Sequence, residues 1–339
     1  MKFKIYTLIG FLFGIFPTFS QQLTLQSPNK KNVVELLSMN GSNRGEWYLK
    51  VSYNADKNKS EILPKVNLGL SRSDQDFSKE LLFIKASKPK IIKEHYELPF
   101  GKKEVRDNEA NEIIVSFENP SKAKLNLIIR AYNDGITFRY EFPEKQGTYS
   151  LKDEFTAYEI PNKSMRWLEK WNPANEGLYA ASSEDKVLQQ EWCYPALFNS
   201  VDKSCWYLLH EADLDRNYCG TKLSNLQEKN TYKLTFPDPK DGRSTGESNP
   251  SISLPWQSPW RVITIGSLAD IVESTLVEDV STPTRFKNID WIKPGKVSWN
   301  YWSSNHGTKD YKIVCDFTDL AVKMNWPYTL LDWEWDGMT

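Results

Sequence analysis

Apolar and polar positions alternate in short runs over residues 22–265, and Gly, Pro, Asn and Asp divide one run from the next, as in "EWYLKVSYN", "NEIIVSFENP" and "TYKLTFPDP". A period of two places one face of each run in a core and the other in water, which predicts half-buried β-strands. In "AKLNLIIRAYNDGITFRYEFP" two such runs flank Asn133, Asp134 and Gly135. These residue types supply the positive φ of a tight turn, so a hairpin is expected here. Strands this numerous, with no helical spacing between them, predict a large antiparallel sandwich of two sheets.

The pattern changes near residue 266. "SLADIVESTLVEDV" has helical spacing, with Ser267 placed to cap it and Asp270 three residues on to answer the cap. "STPTRFKNIDWIKPGK" is irregular and contains Pro, so it reads as a linker. Beyond it, "VSWNYW" reads as a strand and "DYKIVCDFTDLAVKMNW" as a helix with Val314, Phe317, Leu320, Ala321 and Met324 on one stripe. "YTLLDWEW" reads as a second strand. One βαβ unit does not make a sheet by itself, so the chain is expected to stop inside a parallel α/β domain.

Lys plus Arg (43) nearly cancel Asp plus Glu (44), which argues against a nucleic-acid partner and leaves neutral substrates in view. The 13 Trp are the unusual feature, eight of them after residue 250. Flat apolar rings suit sugar faces as well as ordinary cores. At the N-terminus, Lys2 and Lys4 precede an apolar stretch from Ile5 to Phe16 and small residues before Gln21. That order predicts a secretory leader over 1–20, hence a periplasmic or secreted protein. No segment reaches the ~20 apolar residues of a bilayer span, so no membrane anchor is expected. Cys193, Cys205, Cys219 and Cys315 lack C-x-x-C spacing, which argues against zinc, and a disulfide among the first three stays open.

Alternation along the last strand would put Asp332, Glu334 and Asp336 on one face, roughly 6.5 Å apart in steps of two at ~3.3 Å per residue. That spacing suits either acid/base work on a glycosidic bond or hydrogen bonds to sugar hydroxyls. Arg261, beside Trp260, is expected to make a structural ion pair rather than to clamp a ligand carboxylate. His95 reads as a surface residue, and Glu176 and Glu191 as loop acids.

The stretches "AYNDGITFRYEF", "LLHEADL", "SPWRVITIG", "DWIKPGKVSWNYW" and "YTLLDWEWD", in this order, resemble the N-terminal half of glycoside hydrolase family 97, exported bacterial α-glycosidases. The resemblance implies a mainly β architecture: a large antiparallel β-sandwich over 22–265, a helix and linker over 266–295, and the first βαβ unit of a catalytic (β/α)8 barrel over 296–339. It implies an exo-acting, calcium-assisted enzyme that removes terminal α-linked sugars from oligosaccharides, with Glu211 of "LLHEADL" as a calcium ligand. The family's catalytic acid and its nucleophile or base would lie beyond Thr339, so no catalytic residue is expected in this chain and the chain by itself is expected to be inactive. Asp332, Glu334, Trp302 and His306 would then contact substrate. Starch-acting members carry a shorter Glu-Gly-Trp where this chain has "DWEWDGM", which favours α-galactosidase-like over α-glucosidase activity. The competing reading is a non-catalytic carbohydrate-binding or scaffold sandwich.

Overall fold

The computed structural model describes residues 22–55, 58–98, 101–241 and 247–335. The leader expected over 1–20 and Asp336 lie outside the described residues. Among these residues no helix is long and apolar enough to cross a membrane. The chain divides into two compact units, one built from residues up to 95 together with 107–282, the other from 96–106 and 283 onward.

The first unit is mainly β and antiparallel, as its alternation predicts. Among the described residues an eight-stranded sheet runs from Leu23–Gln26 at one edge, through Asn58–Asn67, Ala157–Glu159 and Thr231–Thr235, to Glu191–Trp192 at the other. A twelve-stranded sheet places Trp206–Ala212, Trp260–Gly266, Gly135–Phe142 and Lys124–Tyr132 side by side at its centre. Inward residues of both sheets form one apolar core: Leu49, Val66, Tyr158 and Leu223 meet Val115, Phe138, Phe198 and Ile263. That is the layering of a sandwich.

The hairpin forms where expected, with Tyr132 paired to Gly135 across Asn133 and Asp134. Its chemistry differs from the expectation. None of Asn133, Asp134 and Gly135 is among the positive-φ residues. Gly135 is required because a Cβ there would stand 2.4 Å from Ile263 O and 2.6 Å from Leu276 Cδ2. The turn is instead tied to its surroundings: Asn32 Nδ2 donates to Asn133 O (3.0 Å), Ile265 N to Asp134 O (2.8 Å) and Ser274 Oγ to Asp134 Oδ2 (2.6 Å).

The helix expected from Ser267 onward is two short helices, Leu268–Glu273 and Leu276–Asp279. The Ser267/Asp270 capping box is present. Ser274 ends the first helix with extended backbone (ψ 140°). Its hydroxyl, which also accepts from Leu276 N, does what serine does at helix ends, competing with the helical ladder. Leu276 and Val280 cover a second apolar cluster with Trp260, Val262 and Tyr132.

The second unit contains the predicted strand, helix and strand: Val297–Trp299, Tyr311–Lys323 and Tyr328–Leu330, the two strands paired in parallel. Asp310 caps the helix, accepting from Lys312 N and Ile313 N. Of the expected stripe, Ala321 is buried while Leu320 and Met324 are exposed. The last strand is shorter than expected, because the chain turns over Trp333–Trp335 and Glu334 takes a left-handed conformation (φ 74°). All four cysteines are free, and no disulfide forms among Cys193, Cys205 and Cys219.

Gly135→Ala is expected to destabilise the fold by about 1–3 kcal/mol, the usual cost of forcing bulk into a packed place. The measurement is the urea midpoint; an unchanged midpoint would show that no close approach exists.

Candidate functional site

Each unit holds one group of candidate residues, and the first surrounds Glu211. The strand Trp206–Ala212 pairs with Trp260–Gly266 so that Glu211 stands directly opposite Arg261. Arg261 is wholly excluded from solvent and Glu211 almost so. Arg261 Nη1 donates to Glu211 Oε2 at 2.7 Å. Its Nε and Nη2 donate to the two oxygens of Glu154 at 2.9 and 2.7 Å, and Nη2 also donates to Tyr218 Oη at 3.1 Å. Tyr218 Oη donates in turn to Glu154 Oε2, and Thr156 Oγ1 to Glu154 Oε1 at 2.7 Å. The expected structural pairing of Arg261 is therefore what forms, with two acids rather than one.

Glu211 has further partners. Thr221 donates to it twice, from its backbone N to Oε1 (2.9 Å) and from its hydroxyl to Oε2 (2.6 Å). Burial pushes the Glu211 carboxyl upward, against the pull of Arg261 and of the Thr221 bonds. Arg261 rises well above its ordinary value, because Glu154, Tyr218 and Glu211 outweigh the opposing effect of burial. Two carboxylates around one guanidinium leave one negative charge in surplus. Oε1, with a single hydrogen bond, keeps a lone pair free, so Glu211 fits a hard cation as one oxygen ligand. Among the described residues no group of three or more His, Cys, Asp or Glu side chains gathers around a metal position. His210, the neighbouring residue of the motif, stacks on Tyr194 at 5.9 Å, and burial lowers its pKa.

The second group lies at the C-terminal ends of the parallel strands. Asp332 is half-buried and accepts from Trp299 Nε1 (2.9 Å) and from Trp333 N (2.6 Å). Glu334 is buried, its Oε2 2.6 Å from His306 Nδ1 and its Oε1 3.3 Å from Lys309 Nζ. The hydrogen bond from His306 holds the Glu334 carboxyl below the usual carboxylate range, with Trp333 and Lys309 adding to it. Trp302 is 83% exposed, its ring 4.6 Å from that of Trp299. The side chains of Asp332 and Glu334 thus have separate partners instead of lining one strand face, because the strand ends at Leu330.

Several partners were not visible in the sequence. Glu154 is 107 positions from Arg261, and nothing local marks it. Lys309 joins the second group without a motif, whereas Trp299 and Asn300, whose buried Oδ1 has no partner, lie in the stretch "DWIKPGKVSWNYW" that carries the resemblance but were not singled out there. His95 is exposed and paired with Asp107, Glu176 is exposed, and Glu191 pairs with Lys222.

Arg261→Met is expected to cost about 3–5 kcal/mol in urea unfolding, since it leaves Glu154 and Glu211 buried without their counter-charge. A loss under ~1 kcal/mol would mean the triad is not closed in solution. Because the folded pKa of Glu334 lies below its ordinary value, its ionised form favours the fold at neutral pH. That contribution is lost as pH falls through the lowered value. Amide protection factors around residues 306–334, each rate divided by its unprotected value at the same pH, are expected to fall on acidification in the wild type and to depend less on pH in Glu334→Gln.

The family model described as Glycosyl-hydrolase 97 N-terminal matches residues 25–283. A probable retaining alpha-galactosidase of Streptomyces bingchenggensis is 26% identical over 275 residues, 81% of this chain and 41% of that protein. A retaining alpha-galactosidase of Bacteroides thetaiotaomicron is 23% identical over 321 residues, 84% of this chain and 47% of that protein. The crystal structure of a beta-arabinopyranosidase superposes with a TM-score of 0.83 at 28% identity, covering 93% of this chain and 51% of that one. The chain thus spans about half the length of the relatives it matches. With the matched region enclosing both large sheets and the Glu154–Arg261–Glu211 triad, the chain belongs to glycoside hydrolase family 97 and carries that family's N-terminal region.

Proposed function

We propose that this chain is the front half of an exported, exo-acting α-glycosidase that releases terminal α-linked galactose, or a sugar of the same ring configuration, from oligosaccharides. The observation that carries the reading is the family match over residues 25–283. The names of the relatives, two alpha-galactosidases and a beta-arabinopyranosidase, narrow the sugar, since a β-arabinopyranoside of the L series has the ring hydroxyl configuration and axial leaving group of an α-D-galactopyranoside. The βαβ unit over 297–330 is read as the opening of a (β/α)8 barrel, where strand C-terminal ends carry the site. The reacting carboxylates are assigned to the part of the relatives' length that this chain does not cover. A retaining course would place them ~5–5.5 Å apart.

This chain's own residues would bind and orient. The open face of Trp302 would carry the apolar face of a sugar ring. Asp332, whose position is set by Trp299 and Trp333, would accept a hydroxyl hydrogen, and His306 would offer the ring nitrogen that Glu334 does not use. Glu334 would hold His306 and Lys309 in place. Glu211 would give one oxygen to calcium, the remaining ligands coming from outside the described residues. Bound there, the ion would offset the surplus charge of the triad and polarise nearby hydroxyl groups.

The test compares the 339-residue chain with the longer protein on aryl α-galactoside and aryl α-glucoside, with and without a calcium chelator. The expected result is no turnover by the chain and preferential, chelator-sensitive turnover of the α-galactoside by the longer protein. Turnover by the chain itself would overturn the assignment of the carboxylates, and chelator-insensitive activity the role of Glu211. Sugar binding without turnover by the longer protein would favour the non-catalytic module.

A further inference from the structure

The eight-stranded sheet carries a cavity of about 650 Å3 on the face turned away from the core, within the ~300–1,000 Å3 typical of small-molecule sites. Its floor follows from strand register. Asn67 stands opposite Ala157, Ala157 opposite Lys233, Lys233 opposite Ser224, and Ser224 opposite Glu191. Five neighbouring strands therefore each project one side chain into a single row, at ~4.8 Å from strand to strand. The sequence neighbours Val66, Tyr158, Tyr232 and Leu223 are wholly buried in the core, so alternation fixes the row on the outer face.

Ala157 shapes the depression. A methyl group between Asn67 and Lys233 leaves the space that a longer side chain would fill. Phe155, two positions earlier and so on the same face, supplies an apolar wall with Leu68. One side of the Phe155 ring faces Lys233 Nζ at 5.1 Å. Thr231 and Gln227 add a hydroxyl and an amide to the rim.

The charge pattern decides what such a cavity would hold. Lys233 is spent on Asp153 (2.6 Å) and Glu191 on Lys222 (2.9 Å). Lys65 and Lys79 on the wall are matched in number by Glu46 and Glu228. With no excess of either sign, neither a phosphate nor a metal ion is favoured. Amide, hydroxyl and aromatic groups around a neutral floor match the mixed surface of a sugar, with its hydroxyl edges and apolar ring faces.

We infer that this row is a second, non-catalytic site of the sandwich, which holds a short neutral oligosaccharide across the strands. The inference rests on membership of a glycosidase family and not on which sugar is cleaved. It gives the sheet a role independent of the Glu211 triad: retaining a glycan chain near the enzyme between rounds of hydrolysis.

Titration of the 339-residue chain with maltotriose and with raffinose, followed by saturation-transfer NMR and calorimetry, tests it. Saturable millimolar binding of at least one sugar is expected, weakened about tenfold or more by Ala157→Trp, which fills the floor, and severalfold by Asn67→Ala. Circular dichroism and melting temperatures matching the wild type would show that both variants are folded. Because Asn67→Ala only shortens a half-exposed side chain, it keeps the test decisive if Ala157→Trp fails to fold. Absence of saturable binding of either sugar up to about 50 mM would overturn the inference, as would binding undiminished in folded Asn67→Ala and Ala157→Trp.

Discussion

A guanidinium taken wholly out of water needs both its charge and its N–H donors answered, and the first unit is arranged around that demand. Arg261 sits on a central strand of the twelve-stranded sheet with no exposed surface. Glu154 reaches it from the strand Thr148–Glu154, Glu211 from the neighbouring strand, and Tyr218 from the loop beyond. Each partner is held in turn: Glu154 by Thr156 and Tyr218, Glu211 by both donors of Thr221, and Thr156 by Tyr140. Removing any one carboxylate or the guanidinium changes the charge balance of the whole group. That is why the acid on which the metal proposal rests cannot be treated as a surface residue.

Much of this was legible in the sequence. Three stretches that carried the family resemblance, around residues 131–142, 208–214 and 258–266, prove to be adjacent strands of one sheet, with Glu211 and Arg261 in direct register. Alternation located the strands because burial on one side of a sheet imposes a period of two. It did not reveal Glu154, since contacts between strands distant in sequence leave no local mark. It assigned Gly135 a turn role when the reason is the carbonyl of Ile263, a neighbour brought close only by the third strand. The capping box at Ser267 was readable, being local, whereas the break at Ser274 depends on Asp134, 140 positions away.

The second unit shows the same limit. Its strand–helix–strand order and parallel pairing followed from spacing, while the Asp310 cap of the helix, a local signal, went unread. The arrangement of its acids did not follow, because two-residue alternation holds only while the chain remains extended. Past Leu330 the backbone turns, and Asp332 and Glu334 are sorted by hydrogen bonding to Trp299 and His306. The large apolar side chains Val322, Trp333 and Trp335 remain exposed.

The four free thiols have a consequence for handling and for the conditions of folding. Burial raises Cys193 and Cys205 above the ordinary thiol range and pushes Cys219 up to about 12, so near neutral pH these sulfurs stay protonated and are poor nucleophiles. With no covalent crosslink among the described residues, the packed sheets owe nothing to redox poise. A reductant such as dithiothreitol therefore has no disulfide to open among the described residues.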